Sequence, residues 1–305
     1  MARQSPEGFI LITVLIVISL LFPVVLAFFG KGHINLLQAE NFRDTIQARR
    51  TAQSGVEVGV GMLKSDDPAY DGKSDAWASR VPAIGSATEN VEITIIDDDS
   101  KININALIDS EGRINSDIRN RLMRLIDRLG GDGNFINAVV DWIDADNIVT
   151  EPGGGESHEY RDRGYPVKNA PLDSQDELGL IRGYDKELFE DKGFKKFITV
   201  APTDGKVNVN TAPIEVLEGL GFREGLVQEI ARARDIEPFR QIDDIWRVLG
   251  IDAKSLPQGI NQKIKVNSSV FTIRSICAIK KVTKGAEATV KRDTEGIKVL
   301  SWREF

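Results

Sequence analysis

The chain is poor in the residue types that carry most site chemistry. Cys277 is its only cysteine, so an intrachain disulfide is excluded. His33 and His158 are the only histidines, which excludes a Cys/His zinc site. Basic residues are too few and too scattered for a phosphate-binding surface: the formal net charge is −7 over 305 residues. Nucleic acid is therefore not expected as the main partner. The sequence contains no G-x-S-x-G elbow, no P-loop and no convincing Ser/His/Asp set, so no enzyme activity is expected. The length suffices for about two domains.

What the chain does have is one long apolar run. Phe9 to Phe29 passes without a charge, and a bilayer-spanning helix needs about 20 such residues. A secretory signal would have a shorter core followed by a small-residue cleavage site, but Gly30, Lys31, Gly32 and His33 follow here. Positive charge does not favour an N-in orientation, since Arg3 precedes the run while Lys31, Arg43, Arg49 and Arg50 follow it. The short polar leader ending at Glu7-Gly8, then Phe9 and a spanning helix, resembles a type IV prepilin-class signal. That resemblance implies cleavage by a prepilin peptidase after Gly8, methylation of Phe9 and an N-in anchor. On the residues alone, a plain N-terminal anchor is the alternative.

Helical spacing continues through Leu36, Leu37, Ile46, Val56, Val60 and Leu63 to about Lys64. Ala48, Ala52, Gly55, Gly59 and Gly61 would let another backbone approach closely. Residues 66–86, with Pro68, Gly72, Pro82 and Gly85, read as loop. Strand-like runs then flank a helical middle. Val91–Ile96 and Lys101–Asn105 lie on one side, with Asp97-Asp98-Asp99 as a turn. On the other side are Lys263–Val266, Val270–Val282, Ala286–Arg292 and Ile297–Trp302, with turns at Lys284-Gly285 and Thr294-Glu295-Gly296. These strands predict one small antiparallel sheet made by a discontinuous domain.

Between them, Ile114, Ile118, Leu122, Leu125 and Leu129 share a helix face that ends at Gly130-Gly131. Asn134 is the expected cap of the next helix, Ser174 and Glu177 form a capping box, and Thr211 is the expected cap before Ala212-Pro213. Lys101–Ala106 (KININA) echoes Lys206–Thr211 (KVNVNT), which reads as two similar entries into the helical region or as coincidence in a short pattern. The segment from Val207 to Ile251 resembles a helix-hairpin-helix unit with its hairpin at Gly219-Leu220-Gly221. DNA-binding members use such a hairpin to hold a phosphate. Here eight acidic residues outnumber five basic ones, and Glu224 follows the hairpin, so structural reuse is expected.

One acidic loop carries recognisable chemistry. Asp141-Trp142-Ile143-Asp144-Ala145-Asp146 leads into Glu151-Pro152-Gly153-Gly154-Gly155-Glu156. Carboxylates leaving a helix end into a glycine-rich loop suit a hard cation such as calcium, which takes six to eight oxygens. The spacing is not that of an EF-hand, because Ile148 and Val149 occupy positions where Asp/Asn and Gly are needed. On pattern alone a solvated acidic loop fits as well, and paired-carboxylate hydrolysis is a weaker third reading.

Together, the prepilin-like start, DWIDAD with its acidic glycine loop, the paired N-x-N-[AT] segments and Tyr165–Asp185 (YPVKNAPLDSQDELGLIRGYD) resemble the minor pseudopilin K (GspK) family of type II secretion. The resemblance implies an α+β fold in which a type IV pilin-like N-terminal helix packs on a small antiparallel sheet. A large α-helical domain, helix-hairpin-helix or SAM-like, is inserted between the strands. The implied organisation is a leader over 1–8, a transmembrane helix over 9–29 and the helix's periplasmic part over 30–65. The pilin-like domain takes 66–105 and 262–305, the inserted helical domain 106–205 and a second helical subdomain 206–261. The implied role is at the pseudopilus tip, with minor pseudopilins I and J, other pseudopilins and prepilin peptidase as partners. The implied location is the inner membrane of a Gram-negative bacterium, single-pass, with the bulk in the periplasm.

The family binds calcium in its inserted domain, which implies ligands Asp144, Asp146 and Glu156, with Asp141 orienting the helix end. Ser157-His158 departs from the family's acidic pattern after Glu156. Most pilins carry Glu at the fifth mature position; here it is Thr13. An unpaired Glu is costly in hydrocarbon, so its loss fits a subunit with no neighbour above it. A type IV pilus minor pilin, a membrane-anchored helix-hairpin-helix DNA-binding protein and an anchored calcium-dependent hydrolase are the alternatives.

Overall fold

The structure, a computed structural model, describes residues 6–79, 89–250 and 259–305. Its first element is a single helix α1 (Pro6–Lys64) of 59 residues, about 90 Å long at 1.5 Å per residue. Among the described residues, the part carrying the apolar run is packed against nothing else. The distal part lies on a four-stranded sheet. In chain order the strands are β1 (Glu89–Asp97), β2 (Ile102–Asn103), β3 (Ile198–Thr199), β4 (Val207–Asn208), β5 (Ile264–Lys265), β6 (Val270–Ile279), β7 (Val282–Asp293) and β8 (Gly296–Glu304). The sheet runs β1-β6-β7-β8, antiparallel throughout. The rest of the chain, from β2 through β5, is inserted between β1 and β6; the expected bounds at 105 and 262 are therefore shifted, because β2 and β5 each pair in parallel within the insertion and do not join the sheet.

Alternation in β1 puts Val91, Ile93 and Ile95 on the face toward α1. In register, Ile95 lies opposite Ile273, Ile273 opposite Ala288, and Ala288 opposite Trp302. The small residues of α1 serve this face. A Cβ on Gly55 would fall 2.1 Å from Ser275 Oγ, and one on Gly59 would fall 2.6 Å from Ile273 Cγ2. Close approach is thus spent within the chain's own helix–sheet packing. The β6–β7 turn is at Lys280-Lys281, not Lys284-Gly285, with Lys280 at φ 51°. Gly285 lies inside β7 because its missing side chain leaves room for the Phe305 ring, 2.3 Å from where a Cβ would stand.

The insertion has its own core and is built twice. In the first copy β2 pairs in parallel with β3 and encloses helices α2 (Ser116–Arg128) and α3 (Phe135–Ile143). In the second, β4 pairs in parallel with β5 and encloses α4 (Ile214–Gly219), α5 (Glu224–Ile236), α6 (Ile242–Leu249) and α7 (Ile260–Lys263). The echoed asparagines do the same work in each. Asn103 accepts from Asn105 N at 3.0 Å, and Asn208 accepts from Asn210 N at 3.0 Å. Asn105 donates to the carbonyls of Leu172 and Val200 and accepts from Leu172 N. Asn210 donates to the carbonyls of Phe239 and Val266 and accepts from Phe239 N. Two residues after each of those anchors, Ser174 N donates to Glu177 and Gln241 N donates to Asp244, both at 3.2 Å. The capping box expected at Ser174 therefore has a twin.

Two expected caps are made differently. Asn134 is helical and makes no side-chain cap; Asp132 instead accepts from Asn134 N at 2.9 Å. Thr211 turns away from its helix to donate to Asp97 at 2.5 Å. That contact belongs to the seam between insertion and sheet. Asp97, Asp98 and Asp99 form a turn, but a buried one. Asp97 also accepts from Ser268 Oγ at 2.7 Å, Asp98 from Thr199 and Thr272, and Asp99 pairs with Lys265 at 2.9 Å. Burial, with Asp99 alongside, pushes the Asp97 carboxyl up to about 7.

Candidate metal centre

Helix α3 is apolar on nearly every side and fully buried, so its end is fixed by packing. Trp142, near that end, packs against Tyr160 and Tyr165 from the following loop. Asp144 caps the helix and starts the loop, Asp146 follows, and Glu156 returns to meet them. One carboxylate oxygen from each of the three lies within 4.8 Å of the others. Asp144 and Glu156 are 7% and 2% exposed, whereas Asp146 faces solvent.

The environment of these groups is that of a cation site. Oδ1 of Asp144 and both carboxylate oxygens of Glu156 are buried with no hydrogen-bond partner among the described residues. Buried charges left so are costly unless paired or bound to metal. Burial, then Asp146, Asp141 and Glu156, pushes the Asp144 carboxyl up to about 7, and burial raises Glu156 too. All the available donors are oxygens, which suits calcium rather than a softer metal. His158 is directed to Glu159 at 2.7 Å. A cavity of about 270 Å³ beside the cluster, lined by Asn147, Glu156, Ser157, His158 and Arg161, has room for water ligands. Asp141, whose charge also acts on Asp144 and Glu156, accepts from the loop amides of Thr150 and Gly155.

Sequence reasoning missed a second acidic cluster, Asp66, Asp71 and Asp75. It has its own cation. Arg292 donates to both oxygens of Asp71, at 2.6 and 2.5 Å, and to Asp66 at 3.1 Å. Burial still outweighs the guanidinium and pushes Asp71 up to about 6. The three carboxylates are close in sequence, but Arg292, which occupies them, comes from the other end of the chain, so no local spacing could reveal the pairing.

The hairpin Gly219-Leu220-Gly221 forms, with Gly221 at φ 94°. Its surface is occupied by the first copy: Arg124 donates to the Gly219 carbonyl at 2.9 Å, and Arg128 pairs with Glu218. A Cβ on Gly219 would stand 3.3 Å from the Arg121 carbonyl. This hairpin joins two modules and offers no free phosphate cradle. At the other end of the chain, Gly8 and Phe9 lie in the first turns of α1, and the Thr13 hydroxyl donates to the Phe9 carbonyl at 2.9 Å.

The family profile described as "Type II secretion system (T2SS), protein K" matches residues 100–203, and a second profile of the same description matches 207–267. The two matches coincide with the two copies of the insertion. Type II secretion system protein K of Pseudomonas aeruginosa is 24% identical over 264 residues, covering 81% of this chain and 78% of that protein. Protein K of Klebsiella pneumoniae is 25% identical over 223 residues, covering 68% and 67%. The crystal structure of the GspK-GspI-GspJ complex from the enterotoxigenic Escherichia coli type 2 secretion system contains a chain of the same fold. The TM-score is 0.73 at 19% identity, over 88% of this chain and 99% of that one.

Proposed function

The chain belongs to the protein K family of type II secretion systems, and from that premise we propose that it is a minor pseudopilin that starts or caps a periplasmic pseudopilus. The observation carrying this reading is the agreement of fold and family: a pilin-like helix and sheet with both protein K segments inserted between β1 and β6. The apolar first part of α1 makes it a single-pass anchored protein. The inner membrane and the periplasm are the proposed compartments. Cleavage after Gly8 with methylation of Phe9 is the proposed maturation.

A tip position is supported by two features. The insertion adds a second core beside that of the helix and sheet, bulk that would hinder stacking along a thin fibre. Thr13 satisfies its hydroxyl within its own helix, so it needs no neighbouring amine, as a buried Glu would. The proposed partners are minor pseudopilins I and J, named in the complex that contains the chain of like fold. We further propose a structural calcium on Asp144, Asp146 and Glu156, with water and loop carbonyls completing its shell. Three buried carboxylate oxygens without a hydrogen-bond partner among the described residues support it. Bound there, the ion would neutralise these groups and hold the loop.

Co-expression with prepilin peptidase and pseudopilins I and J tests the function. Loss of residues 1–8, a methylated Phe9 and a ternary complex after detergent extraction are expected. An unprocessed chain that binds neither partner would overturn the reading.

A further inference from the structure

Resting on the calcium reading above, we infer that Asp141 is the positioning residue of that centre: it shapes the 144–156 loop from within and does not touch the ion. Asp141 is fully buried on α3. Its Oδ1 accepts from Thr150 N at 3.0 Å, and its Oδ2 accepts from Thr150 N at 3.1 Å and Gly155 N at 2.7 Å. One carboxylate thus ties down the middle of the loop and the residue before Glu156. Both of its oxygens accept from loop backbone, whereas Asp144 Oδ1 and both Glu156 oxygens have no hydrogen-bond partner among the described residues.

The loop is fitted around this side chain. A Cβ on Gly154 would lie 2.3 Å from both Asp141 Oδ2 and the Thr150 carbonyl, so only glycine passes there. Asn137, one turn earlier on α3, donates to the Pro152 carbonyl at 2.8 Å and is itself held by Arg119. Arg182 reaches the Gly154 carbonyl at 3.3 Å. The second copy supplies an independent comparison. Counted back from the helix ends Ile143 and Ile236, the counterpart of Asp141 is Arg234, which donates to the Val209 carbonyl at 2.5 Å. That copy passes from Ile236 to Pro238 through Glu237 alone and has no loop to shape. The carboxylate stands only in the copy that carries the loop. Its charge also adds to the negative field at the three ligands, which favours a divalent cation.

The test is a calcium titration of the full chain in detergent, with terbium bound at the same centre to count its water ligands from luminescence lifetimes in H2O and D2O. D141N should bind calcium about 10- to 100-fold more weakly, the usual cost of losing an outer-sphere support, with the terbium water count unchanged. D144N should weaken binding and add water to the ion. G154A, which disturbs the same contact while keeping the carboxylate, should match D141N, and it serves if D141N does not fold. Wild-type affinity in both D141N and G154A would overturn the inference, as would an added water in D141N, which would make Asp141 a ligand. If the wild-type chain binds no calcium, the metal reading falls and takes this role with it, a result distinct from either of those.

Discussion

Replacing Asn210 with alanine should cost more stability than the same change at Asn105, although the two side chains make matching bonds. Asn210 is 1% exposed, and its amide holds Phe239 N, Phe239 O and Val266 O. Truncation orphans the first two; the Val266 carbonyl keeps the Asp71 N–H at 2.9 Å. At about 1 kcal/mol per bond, and up to about 3 for a group left buried and unpaired, the loss should be about 3–4 kcal/mol. Asn105 is half-buried, so water can replace part of what is removed, and about 2 kcal/mol is expected. Urea unfolding of the full chain in detergent, followed by near-ultraviolet circular dichroism, reads both values. Losses under about 1 kcal/mol for both variants, or a larger loss at Asn105, would refute the argument that these asparagines are the internal struts of two equivalent modules.

Three further perturbations probe the seam and the helix–sheet contact. Arg292→Met should destabilise by about 3–5 kcal/mol, since Asp71 and Asp66 lose their shared cation while one stays buried; pairing it with Asp71→Asn should recover part of this in the same unfolding assay. Asp97, pushed up to about 7 by burial, binds a proton more tightly folded than unfolded, so its contribution falls as pH rises from about 4 through 7. D97N should therefore lose less stability than wild type between pH 5 and pH 8, and parallel melting-temperature profiles would contradict this. Gly55→Ala should destabilise by about 1–3 kcal/mol through overpacking against Ser275, whereas Gly61→Ala, with nothing within 4 Å of its Cβ, should be neutral or slightly stabilising.

Much of this was legible because it depends on periodicity. The apolar run and its helical continuation appear as one helix, and the alternation of Val91, Ile93 and Ile95 appears as a buried sheet face. The trio Asp144, Asp146 and Glu156 was readable because helix end and loop return are close in sequence. Three features misled because glycine or a polar cap has more than one use. Gly285 suggested a turn yet makes room for Phe305, Asn134 suggested a cap that Asp132 provides, and Thr211 serves Asp97 instead of its own helix. The seam was not legible at all. Asp97, Asp98 and Asp99 look like a solvated turn until Ser268, Thr199 and Lys265 arrive from far along the chain.

The duplication explains why a metal would be needed in one half only. The second copy closes its module directly, with α5 followed by Pro238 and Phe239. The first takes 27 residues, 144–170, to reach the equivalent Pro171 and Leu172, and this stretch holds only short turns of helix. Tyr160 and Val167 are its only buried apolar side chains. A segment of that length with two apolar anchors cannot offset its ordering entropy by burial alone. Polar ties from Asp141, Asn137 and Arg182 make up part of the difference, and the proposed ion on Asp144, Asp146 and Glu156 would make up more. Calcium withdrawal should then loosen residues 144–170 and leave the second copy intact. Amide exchange along both copies, measured with calcium and with chelator, would detect that asymmetry, and equal loosening of the two would contradict it.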